Sequence, residues 1–175
     1  MEVSSNIKLV KPTVDLKQSF LEGLREFQME GLPWHLELDY ETTARDFDAF
    51  VHTLLSKTTQ RTDILVPATV LWGIYNGEYA GQISIRHELN AALRIFGGHI
   101  GYDTRPSFRG RGVATAMLKN ALPVAKSLGL TKTLLTCDDT NIASIRVIEK
   151  NGGALEKKET ISPHNVLKRY YWIVV

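Results

Sequence analysis

Cysteine is nearly absent. Cys137 stands alone, so the chain can form no internal disulfide and no cluster of thiolates around a metal. Within the run Thr133-Leu134-Leu135-Thr136-Cys137 it reads as a buried structural thiol rather than a nucleophile, and no metal site is expected. Also missing is any apolar run near the roughly 20 residues that cross a bilayer, and Met1-Glu2-Val3-Ser4-Ser5-Asn6 has neither the basic nor the apolar region of a secretion signal. The expected location is therefore the cytoplasm, without membrane association. Repeats, low-complexity tracts and linkers are missing as well. With 43% hydrophobic and 23% charged residues, positions 1–175 are expected to form a single globular domain around one core.

The net charge of +2 conceals an asymmetry. Residues 1 to 97 hold 9 Lys/Arg against 13 Asp/Glu, whereas residues 98 to 175 hold 12 against 6. A polyanion is drawn to the second half. Its cations are scattered, however, with no basic run and no interleaved aromatics, which argues against nucleic acid as the partner.

That basic half carries the run Arg109-Gly110-Arg111-Gly112-Val113-Ala114. Glycines without a Cβ let the backbone turn sharply at the start of a helix, whose first N–H groups have no internal partner. Val113, Met117, Ala121, Val124, Ala125 and Leu128 make the apolar stripe of that helix, Gly129 stops it, and Pro123 is expected to kink it. Upstream, Gly97 to Thr104 reads as a strand and Arg105-Pro106-Ser107 as a corner. Strand, loop and helix in that order suit a phosphate or pyrophosphate. An ATP-type loop fits poorly, because Val113-Ala114, not Lys and Ser/Thr, follow the last glycine. A dinucleotide fingerprint needs three glycines early in the chain, and here two lie late.

Elsewhere, Ile7 to Val10 alternates like a strand, and helices are expected over roughly 14–29, ended by Gly31-Leu32-Pro33, and over Tyr40 to Leu55. Ala68 to Tyr75 and Tyr79 to Arg86 are strands joined by the hairpin signal Asn76-Gly77. Lys132 to Cys137 is a strand, Asn141 to Lys150 a short helix, and Ala154 to Ile161 and Val166 to Val175 two last strands.

Arg109-x-x-Gly112-x-Ala114 resembles the Arg/Gln-x-x-Gly-x-Gly/Ala signature of the GNAT superfamily of N-acetyltransferases, and Asn141-Ile142-Ala143-Ser144 with Ile148 to Gly153 resembles that family's second segment. The stretches Ile85 to Asn90 and Gly97 to Tyr102 look like a bacterial subgroup of predicted acetyltransferases. The resemblance spans most of the chain. It implies a three-layer α+β fold: a mixed, mostly antiparallel sheet of about seven strands, with helices on both faces. It also implies acetyl-CoA as co-substrate, held where the fourth and fifth strands splay, and a primary amine as acceptor, attacked directly in a ternary complex. Backbone groups of Tyr102, Asp103 and Thr104 would meet pantetheine. The N–H groups from Arg109 through Gly110, Arg111, Gly112, Val113 and Ala114 would hold pyrophosphate, with Thr115 adding a hydroxyl. Asn141 reads both as a helix cap and as the family's pantetheine ligand, with Ser144 beside it.

One departure concerns the chemistry. Where many relatives have a tyrosine seven residues after that Asn, this chain has Ile148, which can protonate nothing. Tyr102 or a water is left as the acid. His99 is the first candidate base, with His87, Glu88 and Asp103 behind it, and Arg86 either anchors substrate or pairs with an acid. Glu37, Asp39, Glu41, Asp46 and Asp48 either attract a cationic amine or form a solvated face. A non-catalytic acyl-CoA-binding or regulatory domain is the rival reading, and a nucleotide-phosphate module a second. A homodimer is compatible with the sequence, which does not set the oligomeric state.

Overall fold

Asn76 and Gly77, at φ of 52° and 85°, close a two-residue turn whose twist matches the strands it joins. On either side run β2 (Ala68–Tyr75) and β3 (Glu78–Arg86), paired antiparallel. β1 (Lys8–Val10) pairs with β2 and β4 (Ile100–Thr104) with β3, giving the order β1-β2-β3-β4. A second sheet has the order β5-β7-β6, from β5 (Lys132–Asp138), β6 (Ala154–Ile161) and β7 (Val166–Val174). The computed structural model describes residues 6–31, 38–62, 65–163 and 165–175. Leu32, Pro33 and Glu37, singled out above, lie outside them.

Helices cover both faces. α1 (Lys17–Met29) follows a 3₁₀ turn at Val14–Leu16, while α2 (Tyr40–Arg45) and α3 (Phe47–Ser56) replace the single helix expected there. The chain leaves helical geometry at Asp46, φ −107° and ψ 38°. Phe20, Leu24, Phe27, Phe47 and Val51 from α1 and α3 bury against Trp72 and Tyr79, with Phe20 stacked 4.9 Å from Trp72. α4 (Ala91–Ile95) is a single short helix before β4. On the opposite face α5 (Val113–Ser127) continues through Pro123 as one helix and packs Val113, Met117, Ala121 and Ala125 against Ile83, Ile85 and Ile100. α6 (Ile142–Lys150) adds Ile145 and Ile148 to that core. Each fully buried aliphatic or aromatic side chain here contributes about 1.5–3 kcal/mol.

The two sheets meet where β4 begins, and the Gly97 N–H donates there to Thr136 Oγ1 (2.9 Å). The His99 N–H donates to Leu134 O (2.7 Å), and the Leu134 N–H donates to His99 Nδ1 (2.9 Å). Beyond these bonds, among the described residues, no ladder joins β4 to β5. The expected sheet thus divides between these two strands. β4 also starts later than the glycines suggested, because Gly98 sits at φ 63° and turns the chain there.

Candidate functional site

A helix begins with N–H groups that need acceptors, and the local sequence decides whether the chain supplies them. α2 and α6 supply their own: Asp39 Oδ1 accepts from the Thr42 N–H (2.8 Å) and Asn141 Oδ1 from the Ser144 N–H (3.0 Å). α5 begins on Gly112, at φ 81°, with no side chain to cap it. Among the described residues nothing accepts from the N–H groups of Gly110 through Thr115. Gly110, Gly112, Val113, Ala114 and Thr115 line one wall of a cavity of about 680 Å³, and the positive end of the α5 dipole stands behind it. Such a row of free N–H groups has the chemistry to cradle an anion.

The cradle begins one residue later than expected. The Arg109 N–H donates to Pro106 O (3.2 Å), and the Arg109 guanidinium grips both oxygens of Glu30 (2.5 and 2.8 Å) while Nε reaches Thr104 O (3.0 Å). Arg109 therefore braces the loop against the end of α1 instead of offering its own N–H. Arg111 is exposed, lies over the Phe108 ring and is not part of the cavity wall. Arg105, 8% exposed, makes a second brace: its Nε donates to Glu26 Oε1 (2.7 Å). Burial pushes the Glu26 carboxyl up, yet the Ser107 N–H and the Arg105 guanidinium outweigh it and hold the group below its usual range.

The far wall comes from β4 and from α6. Tyr102, Asp103 and Thr104 reach it from β4, and Asn141, Ala143 and Ser144 from the start of α6. The Tyr102 hydroxyl donates to Ser144 O (3.4 Å), and burial pushes its pKa up to about 12. Asn141 spends its oxygen on the cap, and its amide N–H₂ has no partner among the described residues. Asp103 faces away from the Tyr102 ring, toward Gln82, because strand residues alternate. Its Oδ1 is sealed from solvent without a partner, and burial raises its pKa to about 7 despite hydrogen bonds from Gln82 and the charge of Arg109.

The remaining candidates are occupied. His99 is absent from the cavity wall; its Nδ1 accepts from Leu134, and burial, with Arg94 and Arg86 nearby, lowers its pKa to about 4. It is a junction residue whose basic nitrogen is already used. His87 Nε2 bonds Thr69 Oγ1 (2.9 Å), and Glu88 pairs with Arg61 (2.6 Å). Cys137 is buried, and its thiol is pushed up by that burial.

The model of the acetyltransferase (GNAT) domain matches residues 9–154. The chain belongs to the GNAT acetyltransferase family. No curated protein sequence matches this acetyltransferase. Solved structures share its fold: the microcin self-immunity acetyltransferase MccE, in complex with acetyl-CoA and AMP, aligns with TM-score 0.73 at 16% identity, covering 100% of this chain and 96% of its own. RimL, a ribosomal α-N-protein acetyltransferase in complex with coenzyme A, aligns at 0.72 and 18% over 99% and 96%. Mycobacterium smegmatis RimJ, in complex with a CoA-disulfide, aligns at 0.71 and 18% over 97% and 82%.

The acetyltransferase cavity also takes in residues the sequence reading passed over: Arg146, Val147 and Lys150 of α6, and Phe108. Arg146 and Lys150 stand four apart, one turn of helix, and so present two cations to the same wall. The helical spacing of Asn141 to Lys150 makes that pair legible in the sequence. Ile148, at the position of the family tyrosine, is 1% exposed and packs in the core, with Gly153 leaving room for its methyl group.

Proposed function

We propose that this acetyltransferase moves an acetyl group from acetyl-CoA to a primary amine by direct attack in a ternary complex. The uncapped N–H row from Gly110 to Thr115, opening on a cavity walled by β4, α5 and α6, carries the reading. A pyrophosphate satisfies donors that the fold leaves unsatisfied, and Arg146 and Lys150 add charge for the remaining phosphate. When bound, acetyl-CoA supplies a thioester carbon open to nucleophiles. Replacing Arg146 and Lys150 together by Ala is expected to weaken acetyl-CoA about tenfold at low salt and less at high salt, read by calorimetric titration.

Two side chains on opposite faces of β4 divide the proton work. Asp103 takes the proton of the incoming ammonium, and Tyr102 gives one to the departing thiolate. One C–N bond forms and one C–S bond breaks; of the two protons the nitrogen sheds, Asp103 passes the first on to bulk water, and the second, lost after attack, restores Tyr102. Tyr102 thus does the work that Ile148 cannot. Tyr102→Phe should lower kcat about 10²-fold with the Kd of acetyl-CoA unchanged. Because a base must be unprotonated, kcat/KM should rise with pH through about 7, and Asp103→Asn should abolish that limb. A pH profile that Asp103→Asn leaves in place would remove Asp103 from the scheme.

The deciding experiment titrates the protein with acetyl-CoA, CoA and ATP and then screens amines for thiol release. Binding of both CoA species with turnover supports the proposal. Binding without turnover on any amine favours a non-catalytic acyl-CoA-binding domain, and no CoA binding overturns the reading.

A further inference from the structure

Arg86 ends β3 with its guanidinium turned to the face that Gln82 and Ser84 share, away from the cradle. It is half-buried, and that burial lowers its pKa. Among the described residues no carboxylate pairs with it: Glu88, the nearest acid in sequence, is held by Arg61. Of its five N–H donors one is used, toward Gly98 O (3.1 Å). Holding a guanidinium out of water without a counter-charge is costly, and folded chains rarely keep one there without a partner.

Beside it lies a small cavity of about 140 Å³ between β4 and β5, bounded by Gly97, Gly101, Thr136 and Ile148 and ending on Tyr102 and Ser144. Those last two residues also line the main cavity, so the two spaces adjoin where the acetyl group would lie. Glycine on both flanks leaves the guanidinium bare; a Cβ on Gly97 would come within 3.5 Å of it and one on Gly101 within 3.8 Å. The volume is roughly four to five times the ~30 Å³ of a water, room for a compact polar group. Asp103 stands on the same face of β4 as Gly101, two residues or about 7 Å further along. The surrounding field is positive, with Arg94 close enough, like Arg86, to depress His99.

We infer that Arg86 is an acceptor anchor and that the amine acetylated here carries a carboxylate, in the manner of a small amino acid. The carboxylate pairs with the guanidinium in the small cavity, which leaves the amine directed along β4 toward Asp103 and the thioester. This inference rests on the acetyl-transfer reading and makes Arg86 a specificity-determining residue for it.

The test uses matched pairs that differ only in charge. Binding of N-acetylglycine and N-acetylglycinamide to the protein saturated with CoA is measured calorimetrically, and an amino acid panel is compared with its carboxamides as acceptors. The carboxylate member is expected to be favoured roughly 10- to 100-fold, as truncating one side of a charged hydrogen bond implies. Arg86→Gln should remove the preference by raising KM for the acid with kcat and acetyl-CoA affinity little changed, and Arg86→Lys should keep part of it. Equal binding of the two N-acetyl compounds to the wild-type protein would overturn the inference, whether or not Arg86→Gln folds. The binding arm needs no turnover. A carboxylate preference without acetyl transfer would therefore sink the catalytic reading and leave the anchor, and transfer to amides and acids alike would do the reverse.

Discussion

Gly112→Glu is expected to raise the Kd of acetyl-CoA a hundredfold or more while the free protein stays folded. At φ 81° any side chain strains the backbone, by about 1–2 kcal/mol. A Cβ there meets nothing within 4 Å, so no clash adds to that strain. For a chain of this size, such a loss lowers Tm by about 2–8 °C. In the cradle, by contrast, the new carboxylate would sit beside a pyrophosphate, and two unit charges about 4 Å apart repel by about 4 kcal/mol at an effective dielectric of 20. Calorimetric titration with acetyl-CoA and a thermal melt without it separate the two effects. Retained affinity would show that the N–H row is not where the cofactor binds.

Gly98→Ala should do the opposite, costing stability before it costs binding. Gly98 is also left-handed, at φ 63°, but its Cβ would fall inside contact distance of the Leu134 carbonyl and close to the Leu135 Cα. Those are backbone atoms of β5, held in its ladder with β7, and cannot swing aside as a side chain end can. Relieving the overlap pushes β5 from β4 and breaks the paired bonds between His99 and Leu134. We expect a loss of about 3–5 kcal/mol, in the range reserved for clashes and strain at special backbone positions. Gly110→Ala is the control: φ 72°, open space around the Cβ, and a cost of only about 1–2 kcal/mol. Denaturant titration of both variants measures the difference. Equal losses would mean that the junction does not depend on Gly98.

These contrasts show what could be read from the chain beforehand. Gly112, Asn76-Gly77 and the α5 stripe were legible because each requirement is local, set by a φ angle or a 3.6-residue period. The Arg109 pairing with Glu30 was not, since 79 residues separate the partners and no sequence rule joins them. The same holds for His99, whose neighbour Leu134 arrives from another strand and turns a candidate base into a hydrogen-bond acceptor. The burial and unpartnered oxygen of Asp103 were not legible either, since they exist only once β4 pairs with β3. The division of Tyr40 to Leu55 at Asp46 left no mark on the period, because Ala44, Phe47, Val51 and Leu54 on either side of it all pack into the same core.

The double bracing of the loop by Arg105 on Glu26 and Arg109 on Glu30 has a kinetic side. A binding loop that must first find its shape pays ordering entropy on every encounter, and its capture rate falls accordingly. Here α1 holds the loop in shape beforehand, so arrival of the cofactor requires little rearrangement. Its association rate should then follow diffusion and orientation, in the usual range of about 10⁵–10⁷ M⁻¹s⁻¹. Affinity differences among loop variants would appear in how quickly the cofactor departs.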